Sequence, residues 1–348
     1  MNKMKFSLDP ESGMLSENDA KRYFSVVGFA TGVFMLVYYV SSLALVLALS
    51  YYAPHWLENG IVYQLLSLIP LYGLAFPCFY LILKRLPSAP PAKGTMGVAG
   101  ALGGFCISMA LMMAGNSIGN TLTLLFESLS GRLLTNPVEE MTVGQHWWVN
   151  LIFVGILAPV LEELVFRKLL CRRLLPLGEG YAVVISAAIF GLVHGNFFQF
   201  FYAFALGLVF AYIYVKTGKI RYSMVYHMLI NVMGGVLAPW ILERLTPMLN
   251  EEFLEQMVVL AEAENYEAWM ALVSPYMTPM LALTAYELVM FGAGLIGLGL
   301  LLFRRKRIRF EKGTLPPPQT GRVANVFLNV GVASALTVFT VIFLLSLL

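Results

Sequence analysis

Apolar stretches of about 20 residues recur along the whole chain, and no other feature limits its fold so strongly. Stretches of that length cross the hydrocarbon core of a bilayer as helices. We find nine of them, at about 24–50, 61–83, 96–124, 147–170, 181–198, 199–215, 222–242, 278–303 and 323–348. They predict an all-α fold, a polytopic transmembrane helix bundle of roughly nine spans. Eight spans is the alternative, because only Gly195 and Asn196 separate the fifth stretch from the sixth.

The composition also indicates a membrane protein. Of the 348 residues, 59% are hydrophobic and 12% are charged, whereas a soluble domain is about one quarter charged. The net charge of +3 is small, and we expect no nucleic-acid partner. Cys78, Cys106 and Cys171 form no spaced set, so neither a disulfide framework nor a cysteine zinc site is predicted. Residues 1–22 are polar and lead into no short apolar core with a cleavage site, so we expect no cleaved signal peptide.

Basic residues predict the orientation of the spans. With the N-terminus in the cytoplasm, the inside loops carry the lysines and arginines and the outside loops carry few. The long outside loop is acidic and contains Glu243, Glu251, Glu252, Glu255, Glu262, Glu264 and Glu267. The sequence therefore predicts a multi-pass protein of the cell membrane with a cytoplasmic N-terminus.

These patterns divide the chain into five parts. They are a cytoplasmic N-terminal segment at 1–23, N-terminal transmembrane helices at 24–146, a core with charged motifs at 147–242, an acidic outer loop at 243–277 and C-terminal transmembrane helices at 278–348.

The fourth apolar stretch holds charged residues at membrane depth. Glu162, Glu163 and Arg167 lie within six residues, and an ionisable residue in that position is costly and indicates a functional site. Pro159 removes a backbone donor just before them and predicts a kink. Glu163 and Arg167 have the spacing and order of an ion pair on one helix face. Glu162 points about 100° away, so it lacks a partner on its own helix and is suited to act as a general base on water.

Two later stretches each carry one histidine. His194 lies one turn after Phe190, and His227 lies one turn before Asn231. A histidine and an amide can both donate hydrogen bonds to an oxyanion, so the minimum set for peptide hydrolysis is present. By helical rise, Glu162 and His227 lie roughly 12 Å and 9 Å from the cytoplasmic ends of their helices, but His194 lies roughly 20 Å deep. The mismatch disappears if the fifth helix tilts or begins outside the bilayer.

In this order, the motifs Glu-Glu-x-x-x-Arg, Phe-x-x-x-His and His-x-x-x-Asn resemble those of the CAAX-protease and bacteriocin-processing family. The resemblance covers about 147–235 and includes Thr217 and Gly218 before the second histidine. It implies an intramembrane endopeptidase. Eukaryotic members remove the last three residues of prenylated proteins, and bacterial members are linked to bacteriocin self-immunity and peptide maturation.

The resemblance also implies a catalytic role for the charged residues of the fourth stretch. Glu162 would activate the water, and Glu163 with Arg167 would support it. Lys168 is a departure, because many members have glycine after the arginine. We expect little consequence from it.

The remaining motif residues would complete the site. The resemblance implies that His194 positions or activates the water, and that His227 and Asn231 bind the oxyanion. If a metal is bound, Glu162, His194 and His227 are its candidate ligands, since two histidines and a glutamate can make a catalytic zinc site. The chain has no His-Glu-x-x-His motif. We therefore favour a metal-independent glutamate mechanism without a cofactor, with a divalent metal such as zinc as the alternative.

The function predicted is an endopeptidase that cleaves a peptide or lipidated protein substrate in contact with membrane lipid, in a bacterial cell. A catalytically silent immunity or scaffold protein of the same fold is one alternative, and loss of a motif residue would favour it; none is lost. A proton-coupled transporter is another, but it predicts inverted repeats, and the sequence shows no such symmetry. The substrate and the oligomeric state stay open.

Overall fold

The computed structural model describes residues 3–347, and within them the chain is helical, with two isolated bridges and no β-strand. Its apolar helices are α1 (Glu17–Tyr52), α2 (Gly60–Leu83), α3 (Val98–Ser130), α4 (Trp147–Leu177), α5 (Glu179–Leu192), α6 (Phe197–Thr217), α7 (Ile220–Leu249), α8 (Tyr266–Arg304) and α9 (Val330–Leu345). Seven are long and apolar enough to cross a membrane, and α5 and α9 are shorter. The predicted all-α, polytopic helix bundle is confirmed.

Short helices connect some of these spans. They lie at Pro54–Glu58, Pro137–Thr142, Glu251–Glu262, Arg305–Arg307 and Arg322–Phe327. Glu251–Glu262 and the first turns of α8 fall within the segment that we predicted as an acidic outer loop.

Several helix ends differ from the predicted ones. α4 continues beyond its predicted end to Leu177, and α5 stops earlier than predicted, at Leu192. Asn196 caps the start of α6 by accepting the N–H of Gln199, so the two helices are separate. Asn329 likewise caps α9, so the last predicted stretch is divided into the short helix Arg322–Phe327 and α9. The final residue of that stretch, Leu348, lies outside the described residues.

Three of the spans have wider, π-helical turns just before a proline. α2, α4 and α7 each contain π-helical turns that end two residues before a proline, at Ile69–Ala75 before Pro77, Leu151–Leu157 before Pro159 and Met233–Leu237 before Pro239. A proline has no N–H, and its ring collides with the carbonyl four residues earlier. A wider turn relieves that collision, so the predicted kink at Pro159 takes the form of a π-helical segment, a feature often found at functional sites.

α6 lies between α3 and α5 and holds both closely. A Cβ built on Gly207 would lie 3.0 Å from Ala187 Cα, and one built on Gly115 would lie 2.6 Å from Tyr202 Cα. Small residues thus allow close approach of the helix backbones, which fixes the position of α5 beside the charged segment of α4.

Candidate functional site

The predicted ion pair between Glu163 and Arg167 is present in α4. Arg167 Nε lies 3.2 Å from Glu163 Oε2, and neither side chain has exposed surface. Arg167 Nη1 donates a hydrogen bond to Ser186 Oγ at 2.8 Å, and the guanidinium carbon lies 5.1 Å from the centre of the Phe190 ring. Two contacts from α5 therefore hold the guanidinium in place beside its carboxylate.

His227 lies between the two glutamates, which the sequence alone did not predict. Its Nδ1 lies 3.3 Å from Glu163 Oε1, and its Nε2 lies 3.6 Å from Glu162 Oε2. The Phe190 and Phe210 rings pack against the imidazole and restrict its orientation. Glu162 has no partner on its own helix, as expected, but α7 supplies one. If His227 is protonated, the imidazolium and Arg167 balance the two carboxylates.

Glu162 is the more accessible of the two carboxylates. Its side chain is 19% exposed, whereas that of Glu163 is fully buried. The separation of 3.6 Å from His227 is too long for a hydrogen bond, so the lone pairs of Glu162 stay available. A water molecule can approach this carboxylate and donate a proton to it.

His194 lies in the turn between α5 and α6. Its Nδ1 lies 2.8 Å from the Phe190 carbonyl oxygen, and Asn196 Nδ2 donates to the His194 carbonyl at 2.7 Å. Gly195 has a φ of +69°, a backbone conformation that favours glycine. Within residues 3–347, no hydrogen bond joins His194 to either glutamate. The Phe190 ring connects the histidines instead, with centroid distances of 5.2 Å to His194 and 5.6 Å to His227.

The depths of His194 and Glu162 agree once the observed helix ends are used. Glu179 at the start of α5 pairs with Lys216 near the end of α6, so these helices form a hairpin. α5 has 14 residues and is about 21 Å long. Glu162 lies about 22 Å from the end of α4 at Leu177. Ending α4 too early thus explains the mismatch between Glu162 and His194. His227 lies seven residues after the start of α7 at Ile220, so α7 begins nearer to the site than α4 ends.

Asn231 faces α4 and compensates for Pro159. Ala158 donates its N–H to the Phe153 carbonyl five residues earlier. In the same pattern, residue 159 would donate to Val154, but proline has no N–H to give. Asn231 Nδ2 donates to the Val154 carbonyl at 3.0 Å instead. One proton of this amide therefore stabilises the backbone of α4, and the predicted oxyanion role would fall to the other.

The described residues do not form a cluster suited to a metal. No group of three or more His, Cys, Asp and Glu side chains within residues 3–347 could hold one ion. Glu162 and His227 are adjacent, and the Nδ1 atoms of His227 and His194 face Glu163 and a backbone carbonyl, which leaves the Nε2 atom of each histidine as its potential ligand atom. In the described residues, however, Glu162, His194 and His227 are not grouped closely enough to hold one ion.

Three tyrosines that the sequence analysis missed lie close enough to Glu162 to be affected by its charge. They are Tyr38, Tyr72 and Tyr202. The Tyr72 hydroxyl is buried and has no hydrogen-bond partner in the described part of the chain, an arrangement that costs stability. Tyr202 accepts a hydrogen bond from Gln199 Nε2 at 3.2 Å. Aromatic residues are common in membrane spans, so their spacing gave no signal.

Comparison with known proteins identifies the segment that holds these residues. Residues 144–233 match the family model described as Type II CAAX prenyl endopeptidase Rce1-like. The chain is 29% identical over 161 residues to the membrane-embedded CAAX protease MroQ of Staphylococcus aureus (strain USA300). The matched region covers 43% of this chain and 63% of that protein. It is 30% identical over 127 residues to YdiL of Bacillus subtilis (strain 168), provisionally named as a membrane peptidase, covering 36% of this chain and 49% of that protein.

Each matched region thus spans less than two thirds of the relative. No solved structure matches the chain. The resemblance predicted from the motifs is confirmed for a segment that contains all six candidate residues, from Glu162 to Asn231.

Proposed function

Because residues 144–233 match the Rce1-like family model, we propose that the chain is an intramembrane endopeptidase that hydrolyses peptide bonds with a glutamate-activated water. The observation that carries this proposal is the accessible carboxylate of Glu162 beside His227, inside a bundle of apolar helices. Glu163 next to it is buried and paired with Arg167, which supports a structural role for Glu163 and a role as the base for Glu162.

In the proposed reaction, Glu162 takes a proton from a water molecule while the water oxygen bonds to the carbonyl carbon of the substrate. The C–N bond then breaks, and the proton from Glu162 passes to the leaving amine. General base catalysis of this kind contributes about 10² to 10⁴ in rate. Glu163, paired with Arg167, lies 3.3 Å from His227 Nδ1 and so orients the imidazole beside Glu162.

The oxyanion needs hydrogen-bond donors in a site that excludes most water. His227 and the second amide proton of Asn231 are the donors implied by the family resemblance. The unpaired Tyr72 hydroxyl is a third candidate that the resemblance did not indicate. In this proposal His194, in the turn between α5 and α6, orients the water.

Membrane-associated peptides or lipidated protein C-termini are the proposed substrates. The name of the S. aureus relative supports this class. The bacterial relatives also support a location in a bacterial cell membrane. A catalytically silent immunity or scaffold protein of the same fold is the competing function, and activity measurements separate the two.

We expect detergent-purified protein to cleave members of a large peptide library, part of it lipidated, with products identified by mass spectrometry. His194→Ala should lower kcat by about 100-fold, because the water loses a positioning group. A strong chelator should leave the wild-type rate unchanged. Loss of activity in chelator, restored by zinc, would contradict the metal-independent mechanism, and absence of cleavage across the library would favour the scaffold function.

Tyr72→Phe should lower kcat and raise stability at once. The change removes only a hydroxyl that is buried without a partner, and such a group costs about 1–3 kcal/mol. We expect kcat to fall about 10-fold to 100-fold with KM unchanged, while the unfolding temperature rises. Tyr80→Phe is the matched control, because Tyr80 lies on the same helix as Tyr72, is 45% exposed and should leave kcat unchanged when it loses its hydroxyl. If both variants keep wild-type kcat, Tyr72 has no role in the reaction.

A further inference from the structure

A cavity that neither Glu162 nor Glu163 lines lies between α1, α5 and the C-terminal part of the chain. It has a volume of about 880 Å³, which is within the range of small-molecule sites. Its walls are mostly apolar and include Val27 from α1, Ile185 and Ile189 from α5, and Phe339 from α9. Much of this surface belongs to helices outside the segment that matches the peptidase family.

One end of the cavity carries two cationic side chains. Lys312 and Arg322 both line it there, and Glu311 is the one acidic residue among the lining side chains. The charges of these three lining residues sum to +1, and the Glu17 carboxylate lies next to Gly321 without lining the cavity. This end lies beside Gly178 and the start of α5, on the side that the distribution of basic residues predicts to be cytoplasmic.

The segment that carries Lys312 is fixed by several contacts. Lys312 forms an isolated backbone bridge with Gly178. The Glu311 N–H donates to Glu179 Oε2 at 2.9 Å, and the Leu315 N–H donates to the Pro176 carbonyl at 2.7 Å. The cationic end is therefore a built feature of the fold.

Beyond the charged residues, the lining forms an apolar slot that runs along α5. Along α5 the lining runs from Tyr181 to Leu192, a distance of about 16 Å by helical rise. α1 and α9 close the back of the slot, because a Cβ on Gly28 would lie 2.5 Å from Val332 N and leaves no space between the two backbones. A slot of this shape accepts an extended hydrocarbon chain.

We infer that this cavity binds an anionic phospholipid, with an acyl chain between α1, α5 and α9 and the phosphate at Lys312 and Arg322. The apolar walls favour hydrocarbon over water. Basic pockets between membrane helices on the cytoplasmic side attract anionic headgroups, and a net charge of +1 at the mouth gives less attraction to a zwitterionic headgroup. The site gives the C-terminal helices a role in lipid binding that is independent of peptide cleavage.

The test uses the full chain, purified in detergent, stripped of lipid and examined by native mass spectrometry. Phosphatidylglycerol and phosphatidylcholine with the same acyl chains are added in turn. We expect tighter binding of phosphatidylglycerol, and a loss on the order of tenfold in the Lys312→Gln/Arg322→Gln double variant. The matched control is Lys306→Gln/Arg307→Gln, which removes two nearby cations that do not line the cavity.

Ala188→Trp fills the slot from α5 and should weaken binding of both lipids. Val184→Trp, at another lining position, serves the same purpose if the first variant fails to fold. Equal binding of the two lipids, equal losses in both double variants, or full binding by a folded slot-filling variant would each overturn the inference. Competition by glycerol phosphate as strong as that by the whole lipid would also overturn it, because the slot would then contribute nothing.

Discussion

Glu162→Gln is expected to lower peptide cleavage by about 1,000-fold while leaving the bundle folded. Glutamine keeps the size of the side chain but cannot take a proton from water at neutral pH. The side chain is partly exposed, and His227 lies beyond hydrogen-bond distance of it, so little stability depends on the charge. The measurement is kcat on any peptide that wild type cleaves, with the unfolding temperature recorded beside it.

Glu287→Gln is the matched control for that variant. Glu287 is an exposed acid in α8, far along the chain from the motif residues, and its change should leave kcat unaltered. A Glu162→Gln protein that cleaves at the wild-type rate would falsify the proposed mechanism, whatever the control shows.

Arg167→Met is expected to lower the free energy of unfolding strongly. The change leaves Glu163 buried without its guanidinium, and an uncompensated buried charge costs about 3–5 kcal/mol. His227 is then the nearest cation source for Glu163, at 3.3 Å, and its recruitment would also disturb Glu162. We therefore expect a large fall in the free energy of unfolding, measured in detergent, together with loss of cleavage.

A double variant separates the ion pair from simple packing. Glu163→Gln/Arg167→Met removes both charges, and replacing a whole buried pair is often nearly neutral. Most of the lost stability should return, although activity should not. If the double variant is as unstable as Arg167→Met alone, the arginine contributes through its contacts with Phe190 and Ser186 rather than through Glu163.

The sequence was sufficient to predict the helices because the bilayer imposes a simple rule. Each apolar stretch contains one of the nine apolar helices, and the i, i+4 spacing of Glu163 and Arg167 correctly predicted their contact. Helix ends were less predictable. Apolar residues continue past the true end of α5, and capping by Asn196 decides where the next helix begins.

The site was only partly predictable, because its contacts join helices far apart in the chain. Motif spacing could nominate His227 and Asn231 but could not tell that one faces the glutamates and the other a backbone carbonyl. The tyrosines of α1 and α2 reach Glu162 through tertiary packing, which leaves no periodic signal in a single sequence.

The hydrogen bond from Asn231 to the Val154 carbonyl makes the effects of substitutions at Asn231 and Pro159 depend on each other. Asn231 supplies the hydrogen-bond donor that Pro159 lacks. A change of Pro159 to a residue with an N–H would make the amide redundant there and release it, whereas a change of Asn231 alone would strand a carbonyl in an apolar bundle. The order of substitutions therefore matters for the stability of α4: Asn231 can be replaced without leaving an unpaired carbonyl only after Pro159 has been replaced, whereas the proposed oxyanion role of Asn231 still requires the amide for activity.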